Sequence, residues 1–250
     1  MITDTIFAKN NINIFCDGSI YQNKTTGEYI GCPGYCVVYN TGDGLEIIKE
    51  NYKEIIRDGT NNITENRAIY LSLMEAIYTY KDFNVNIFSD SQYCIFGLTQ
   101  WIYSWINNIY NGDMYNSSGN KVANQEYIKQ IVAEIYCSGV NINLFHQKGH
   151  VTNTPKSIKH ANDVFCKSNG FRFVDDNFIE TISYFNNRVD IMTKRSLDIY
   201  LKSNEYLQYN FVPKEDMINP ISFKIDDIDI YKYKNQIKRR FRQWDQQWGV

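Results

Sequence analysis

The sequence predicts an α/β domain built on a mixed sheet, and three observations predict it. Near the N-terminus, Ile12, Ile14 and Cys16 alternate with Asn11, Asn13 and Phe15, the period-two signature of a strand. Two more strand-like runs lie close behind, Tyr35 to Tyr39 and Leu45 to Tyr52, joined by the hairpin signal Thr41-Gly42-Asp43-Gly44. Beyond Glu65, helical stripes alternate with two further short strands. An antiparallel meander followed by helix, strand, helices, strand and helix is the order of a mixed sheet covered by helices.

Each element has its own warrant. The first strand runs directly into Asp17-Gly18-Ser19, and Gly27, Gly31, Pro33 and Gly34 mark the turn region after it. Thr60 to Asn62 ends a loop; from Glu65 to Tyr80 the residues Ala68, Ile69, Leu71, Leu73, Met74, Ala76 and Ile77 form a helical apolar stripe. Val85 to Phe88 is a strand ending at Ser89-Asp90, and a helix begins at Ser91 with Ile95, Leu98, Trp101, Ile102 and Trp105 on one side. Trp101 and Trp105 lie four apart, so a core role is the default for at least one. Asn111 to Asn120 reads as a polar loop. Tyr127 to Ile135 is a helix, Val140 to Phe145 alternates apolar residues with Asn as a strand, and a helix around Ile158 to Lys167 closes near Asn169-Gly170. Phe171 to Gln208 is helical in pattern without clean caps, and Pro213 and Pro220 break it. The boundary is placed near Gly170, dividing the chain into a domain of residues 1–170 and an extension of residues 171–250.

Bulk properties narrow the function classes. With 43% hydrophobic residues the chain has ample material for a core, and its formal charge of −2 argues against a wholly basic nucleic-acid coat while allowing a local basic patch. Cys32 and Cys36 have no second ligand pair nearby, so they do not read as a zinc site, and the scattered cysteines fit buried free thiols. No signal peptide and no bilayer-length apolar run is apparent, so the expectation is a reduced, cytoplasmic protein with no membrane partner.

Four carboxylates stand out by position. Asp17 and Asp90 both sit where an apolar strand ends, and two parallel neighbouring strands would bring them to one point. Glu65 lies in the first turn of its helix and Asp163 on the helix after the last strand. Converging carboxylates suit Mg²⁺, which takes oxygen ligands and keeps positions open for substrate. Singly, each has a plainer reading: an Asx turn at Asp17, a capping box pairing Glu65 with Asn62, a helix cap at Asp90, a solvated helix residue at Asp163.

Taken together, the segments resemble ribonuclease H of type 1, in the family's order. Phe15-Cys16-Asp17-Gly18-Ser19 is similar to its first-strand motif, and Thr60 to Glu65 to the loop supplying its glutamate. Ser89-Asp90-Ser91-Gln92-Tyr93, continued by Gly97-Leu98-Thr99-Gln100-Trp101, is the most specific stretch; Lys148-Gly149-His150 and Ala161-Asn162-Asp163 resemble the histidine loop and final aspartate. The resemblance implies a ribonuclease H-like fold, a five-stranded mixed sheet flanked by helices, with a mainly helical C-terminal extension. It implies that Asp17, Glu65, Asp90 and Asp163 bind two Mg²⁺ ions, with Mn²⁺ as a substitute, and that Asp17 is shared between them. His150 would assist proton movement or product release. His146 and His160 match no motif position and read as structural.

By the same resemblance the chain is an endoribonuclease that hydrolyses the RNA strand of RNA–DNA hybrids, leaving 5′-phosphate and 3′-hydroxyl ends. The alternative is a catalytically silent module of the same fold that binds nucleic acid or assembles with a partner. Asn62, Gln92 and the backbone at Gly18 and Ser19 would face the RNA strand, Thr60 and Trp101 the DNA strand, and Asn61 is a further substrate-binding residue. Relatives carry a basic protrusion after the helix at Trp101, yet Tyr103 to Asn120 contains no lysine or arginine. The candidate replacement is the C-terminal end, where Lys238, Arg239, Arg240 and Arg242 stand among Phe241 and Trp244. A solvated face, or self-association or a protein partner bound through residues 171–250, is the other reading of that segment. A chain cut at Gly170 is expected to bind more weakly with its chemistry intact.

Overall fold

The computed structural model describes residues 2–207 and 230–237. A short helix α1 (Ile2–Ile6) precedes the meander β1 (Asn11–Gln22), β2 (Tyr29–Asn40) and β3 (Leu45–Asn51), and a two-residue strand β4 (Ile56–Arg57) pairs with β2. Helix α2 (Asn61–Thr79) leads to β5 (Asn84–Ser89). Next comes a helical stretch of α3 (Gln92–Phe96), a π-helical turn at Gly97–Trp101, and α4 (Ile102–Asn107). A small hairpin, β6 (Ile109–Tyr110) and β7 (Asp113–Met114), occupies part of the expected loop. Helix α5 (Gln125–Cys137), strand β8 (Ile142–His146), α6 (Pro155–Asn169) and the long α7 (Asp176–Leu207) complete the domain.

The main sheet runs β3-β2-β1-β5-β8, antiparallel through the meander and parallel from β1 to β5 to β8. This is the expected mixed five-stranded sheet. Strand alternation divides its residues between two layers. Ile12, Ile14, Val85, Ile87, Ile142 and Leu144 face α2 to α5. Phe15, Phe88 and Phe145 face α1, α6 and α7 and stack across the three parallel strands, with centroids 4.7 and 5.1 Å apart. On that second face, asparagines also run from strand to strand. Asn86 Nδ2 donates to Asn13 Oδ1 at 2.9 Å, and Asn143 Nδ2 to Asn86 Oδ1 at 3.0 Å. These bonds satisfy the buried amide oxygens of Asn13 and Asn86 from the strand alongside, while Asn13 Nδ2 is left without a partner.

Helix α6 ends at Gly170, which takes the left-handed conformation (φ 75°) as C-cap, at the expected place. The packing of α7 spans the division drawn at that glycine. Phe178, Ile179, Ile182, Phe185 and Val189 form one stripe along α7 and are buried in the same apolar cluster as Phe15, Phe88 and Phe145. Arg188 binds Glu50 of β3 through two nitrogens, at 3.0 and 3.2 Å, and Thr193 Oγ1 lies 2.7 Å from Ser19 Oγ of β1. Helix α7 is thus part of the domain's core layer. Ile230, Tyr233 and Ile237 are buried in the opposite cluster, and Tyr233 stacks on Tyr136 of α5. Lys238, Arg239, Arg240 and Arg242 lie outside the described residues. Among the described residues, no helix is long and apolar enough to cross a membrane.

Candidate active site

The parallel register of β1 and β5 decides where the first carboxylates go. Phe15 pairs with Phe88, so Asp17, inside β1 just past its parallel pairing with β5, and Asp90, just past the end of β5, lie side by side. Glu65 reaches them from α2. That helix starts at Asn61 rather than at Glu65, so Glu65 sits a turn farther in than the sequence pattern indicates, and no capping box forms at Thr60. The approach of α2 to β1 requires a glycine. A side-chain carbon placed on Gly18 would stand 2.8 Å from Thr64 Cγ2 and 3.0 Å from the Glu65 amide nitrogen. Carboxylate oxygens of Asp17, Glu65 and Asp90 lie within 4.8 Å of one another.

A further acid in the cavity comes from α7. Asp163 is exposed on α6, whose buried face carries Ile158, Ala161 and Phe165 and turns Asp163 outward. Asp163 does not line the cavity that Asp17, Glu65 and Asp90 share. Asp190 instead lines the same cavity of about 640 Å³ as Asp17, Glu65 and Asp90, together with His150 and Lys194. One turn before it, Asn186 donates from Nδ2 to Asp90 Oδ2 at 3.3 Å and accepts from Gln147 Nε2 at 2.8 Å. The sequence held a signal for these two: Asn186 and Asp190 are polar residues four apart that border the apolar stripe of a long helix.

The histidine loop is brought in by β8. Ser89 pairs with His146, which carries Lys148-Gly149-His150 past the end of β5 and over Asp90. Gly149 lies so close that a side-chain carbon there would overlap the Asp90 carboxylate. His150, at φ 54°, points Nδ1 to within 3.6 Å of Asp190 Oδ2.

With the fold and this geometry in hand, comparison with known proteins is decisive. The family model for RNase H matches residues 9–166. The chain belongs to the RNase H family. A ribonuclease H of Haemophilus influenzae (strain 86-028NP) is 29% identical over 119 residues, 47% of this chain and 66% of that protein. Ribonuclease HI of Pasteurella multocida (strain Pm70) is 29% identical over 147 residues, 58% of this chain and 84% of the relative. The chain thus spans just under two thirds of the first relative's length. Among solved structures, LC9-RNase H1 is similar at 19% identity with a TM-score of 0.43, covering 74% of this chain and 85% of that one.

In this RNase H-family chain the matched residues stop before α7, so Asp190 and Asn186 lie outside the stretch that the family model recognises. Of the expected substrate residues, Gly18, Ser19, Asn61, Asn62 and Gln92 line the cavity. Thr60 and Trp101 are exposed and stand outside its wall; Trp101 packs edge-on against Tyr93 and Phe96, while Trp105 is in the core. His146 is buried with Nδ1 2.9 Å from Ser168 Oγ, and His160 is exposed on α6; neither lines the cavity.

The electrostatics of the cluster invite a cation. Burial, and then the neighbouring Asp90, push the Asp17 carboxyl up to about 8. Burial also raises Glu65, reinforced by Asp17 and Asp90, and it raises Asp90 against the opposing hydrogen bond from Asn186. Glu65 Oε2 is buried with no hydrogen-bond partner. An all-oxygen donor set with such an orphaned carboxylate oxygen fits a hard divalent cation.

Proposed function

We propose that this chain hydrolyses the RNA strand of RNA–DNA hybrids, with two Mg²⁺ ions held by Asp17, Glu65, Asp90 and Asp190. The observation that carries this reading is the convergence of the Asp17, Glu65 and Asp90 carboxylates, with Asp190 in the same cavity. When bound, a pair of divalent ions supplies an activated water and charge neutralisation at the departing oxygen. Mn²⁺ would serve as a substitute. Asp17 would be held in common by the two ions.

The remaining work falls to the protein's own groups. Glu65 and Asp90 accept hydrogen bonds from the attacking water and so aim it. Asn186 holds one oxygen of Asp90, leaving the other to face the cavity. His150, largely exposed at the rim, takes up or delivers a proton as the product leaves. The products carry a 5′-phosphate and a 3′-hydroxyl.

Selection of RNA rests on the 2′-hydroxyl, which both donates and accepts. Asn61, Asn62 and Gln92 offer amides along the cavity wall, and the backbone at Gly18 and Ser19 lies beside them. The Ser19 hydroxyl is engaged with Thr193, so its contribution is through the main chain. Thr60 and Trp101 would meet the DNA strand outside the cavity.

The test is a uniformly labelled RNA–DNA hybrid incubated with Mg²⁺ and the full chain, beside Asp17→Asn and Asp90→Asn. Cleavage of RNA only, with near-complete loss in both variants, is expected. A hybrid that is bound but never cut would identify an inert binding module. Activity surviving in both variants would refute the assignment.

A further inference from the structure

Lys194 sits one helical turn after Asp190, and its Nζ lies 2.7 Å from Asp190 Oδ2. The same oxygen faces His150 Nδ1 at 3.6 Å. A lysine four residues after an aspartate is commonly a helix-surface pair, but this one lines the carboxylate cavity, and its aspartate is mostly buried, with a side chain 15% exposed. The oxygens grouped closely enough to share an ion belong to Asp17, Glu65 and Asp90, without Asp190. One cation position is thus preformed among three carboxylates, whereas the fourth carboxylate already carries an ammonium.

We infer that Lys194 is a resident counter-cation of the second metal position, displaced from Asp190 when a second divalent ion binds. This rests on the metal-dependent reading above and adds an order of loading. The first ion enters a site whose Glu65 oxygen has no other partner. The second must exchange with an ammonium, so it binds more weakly. Lys194 has room to leave, since its side chain is 55% exposed. The other lysine lining the cavity, Lys148, donates to the Gly149 carbonyl at 3.1 Å and holds no carboxylate. It provides a control for the general effect of removing a positive charge.

Calorimetric titration of the full chain with Mn²⁺, without substrate, reads the exchange directly. Two binding events are expected, with the weaker one absent in Asp190→Asn. In Lys194→Met the weaker event should tighten by about three- to fivefold, the scale of one exposed-to-half-buried ion pair. Lys148→Met should leave it unchanged. Equal weak-site affinity in Lys194→Met and the unsubstituted chain overturns the exchange, as does equal tightening in Lys148→Met. A single event in every variant overturns it too. Two events with no Lys194 effect would leave the nuclease reading intact, whereas no Mn²⁺ binding at all would refute both.

Discussion

Asn186 Nδ2 lies 3.3 Å from Asp90 Oδ2, joining α7 to the end of β5 through a buried amide. Gln147 Nε2 holds the Asn186 carbonyl oxygen at 2.8 Å, so the orientation of Asp90 is set by a relay running from the end of β8. Groups that orient a metal ligand matter nearly as much as the ligand itself. Asn186→Ala is expected to lower Mg²⁺-dependent cleavage by about 10- to 100-fold. It should also raise the Mg²⁺ concentration needed for half-maximal rate. Measuring rate against Mg²⁺ well below the melting temperature separates this from lost stability, because a merely structural role would leave the Mg²⁺ dependence unmoved.

The placement of the fourth acid makes a sharp contrast. Asp190→Asn should reduce hydrolysis of a labelled hybrid by at least about a hundredfold, as loss of transition-state charge stabilisation worth roughly 3 kcal/mol implies. Asp163→Asn, on the exposed face of α6, should leave the rate within about twofold, since surface substitutions rarely have larger effects. The reverse pattern would return the fourth position to Asp163.

This contrast also marks where the sequence could be read and where it could not. Asp17 and Asp90 were legible because each follows an apolar run, although β1 continues past Asp17 to Gln22; the parallel pairing of Phe15 with Phe88 is what sets the two side by side. The close approach of Gly18 to the Thr64–Glu65 backbone was not legible. Asp163 was read from the resemblance of Ala161-Asn162-Asp163, which does not reveal the face of α6 that it takes. Helix faces are set by packing, and Ile158, Ala161 and Phe165 claim the inner side of α6. Asp190 was hidden in a segment with no clean cap and no motif. The alternating asparagines of β1, β5 and β8 gave the strand period, but not the burial of Asn13 and Asn86, which depends on neighbouring strands.

The buried carboxylates predict how the metal-free protein responds to pH. Asp17 is raised to about 8, and Glu65 and Asp90 are raised as well. Between about pH 4, where the unfolded carboxyls ionise, and about pH 8, the native state holds protons that the unfolded state has lost. Stability therefore falls as pH rises through that window. In EDTA the melting temperature should drop between pH 5 and pH 8. Asp17→Asn should flatten that slope and melt at least about 5 °C higher at pH 8. Adding Mg²⁺ at pH 8 should restore the melting temperature of the unsubstituted chain by binding only the native state. A melting temperature that climbs with pH in EDTA would contradict this account.

Cutting the chain at Gly170 tests whether the second layer belongs to the domain. The sequence pattern leads to the expectation that such a truncation keeps its chemistry and loses only affinity. In the structure, it removes Asp190 from the cavity and Asn186 from Asp90, and strips Phe178, Ile179, Ile182, Phe185 and Val189 from the face bearing Phe15 and Phe88. Burying five such side chains is worth on the order of 10 kcal/mol, comparable to the roughly 5–15 kcal/mol that holds a whole domain together. The truncated chain should therefore fail to show a cooperative thermal transition. It should bind a dye that reports exposed apolar surface and cleave no hybrid. Cutting after Leu207 instead retains α7 with Asp190 and should preserve measurable cleavage, with some loss of stability because Ile230, Tyr233 and Ile237 no longer cover α5. A chain ending at Gly170 that still melts cooperatively and still cleaves would show that α7 is dispensable and that another group supplies the fourth carboxylate.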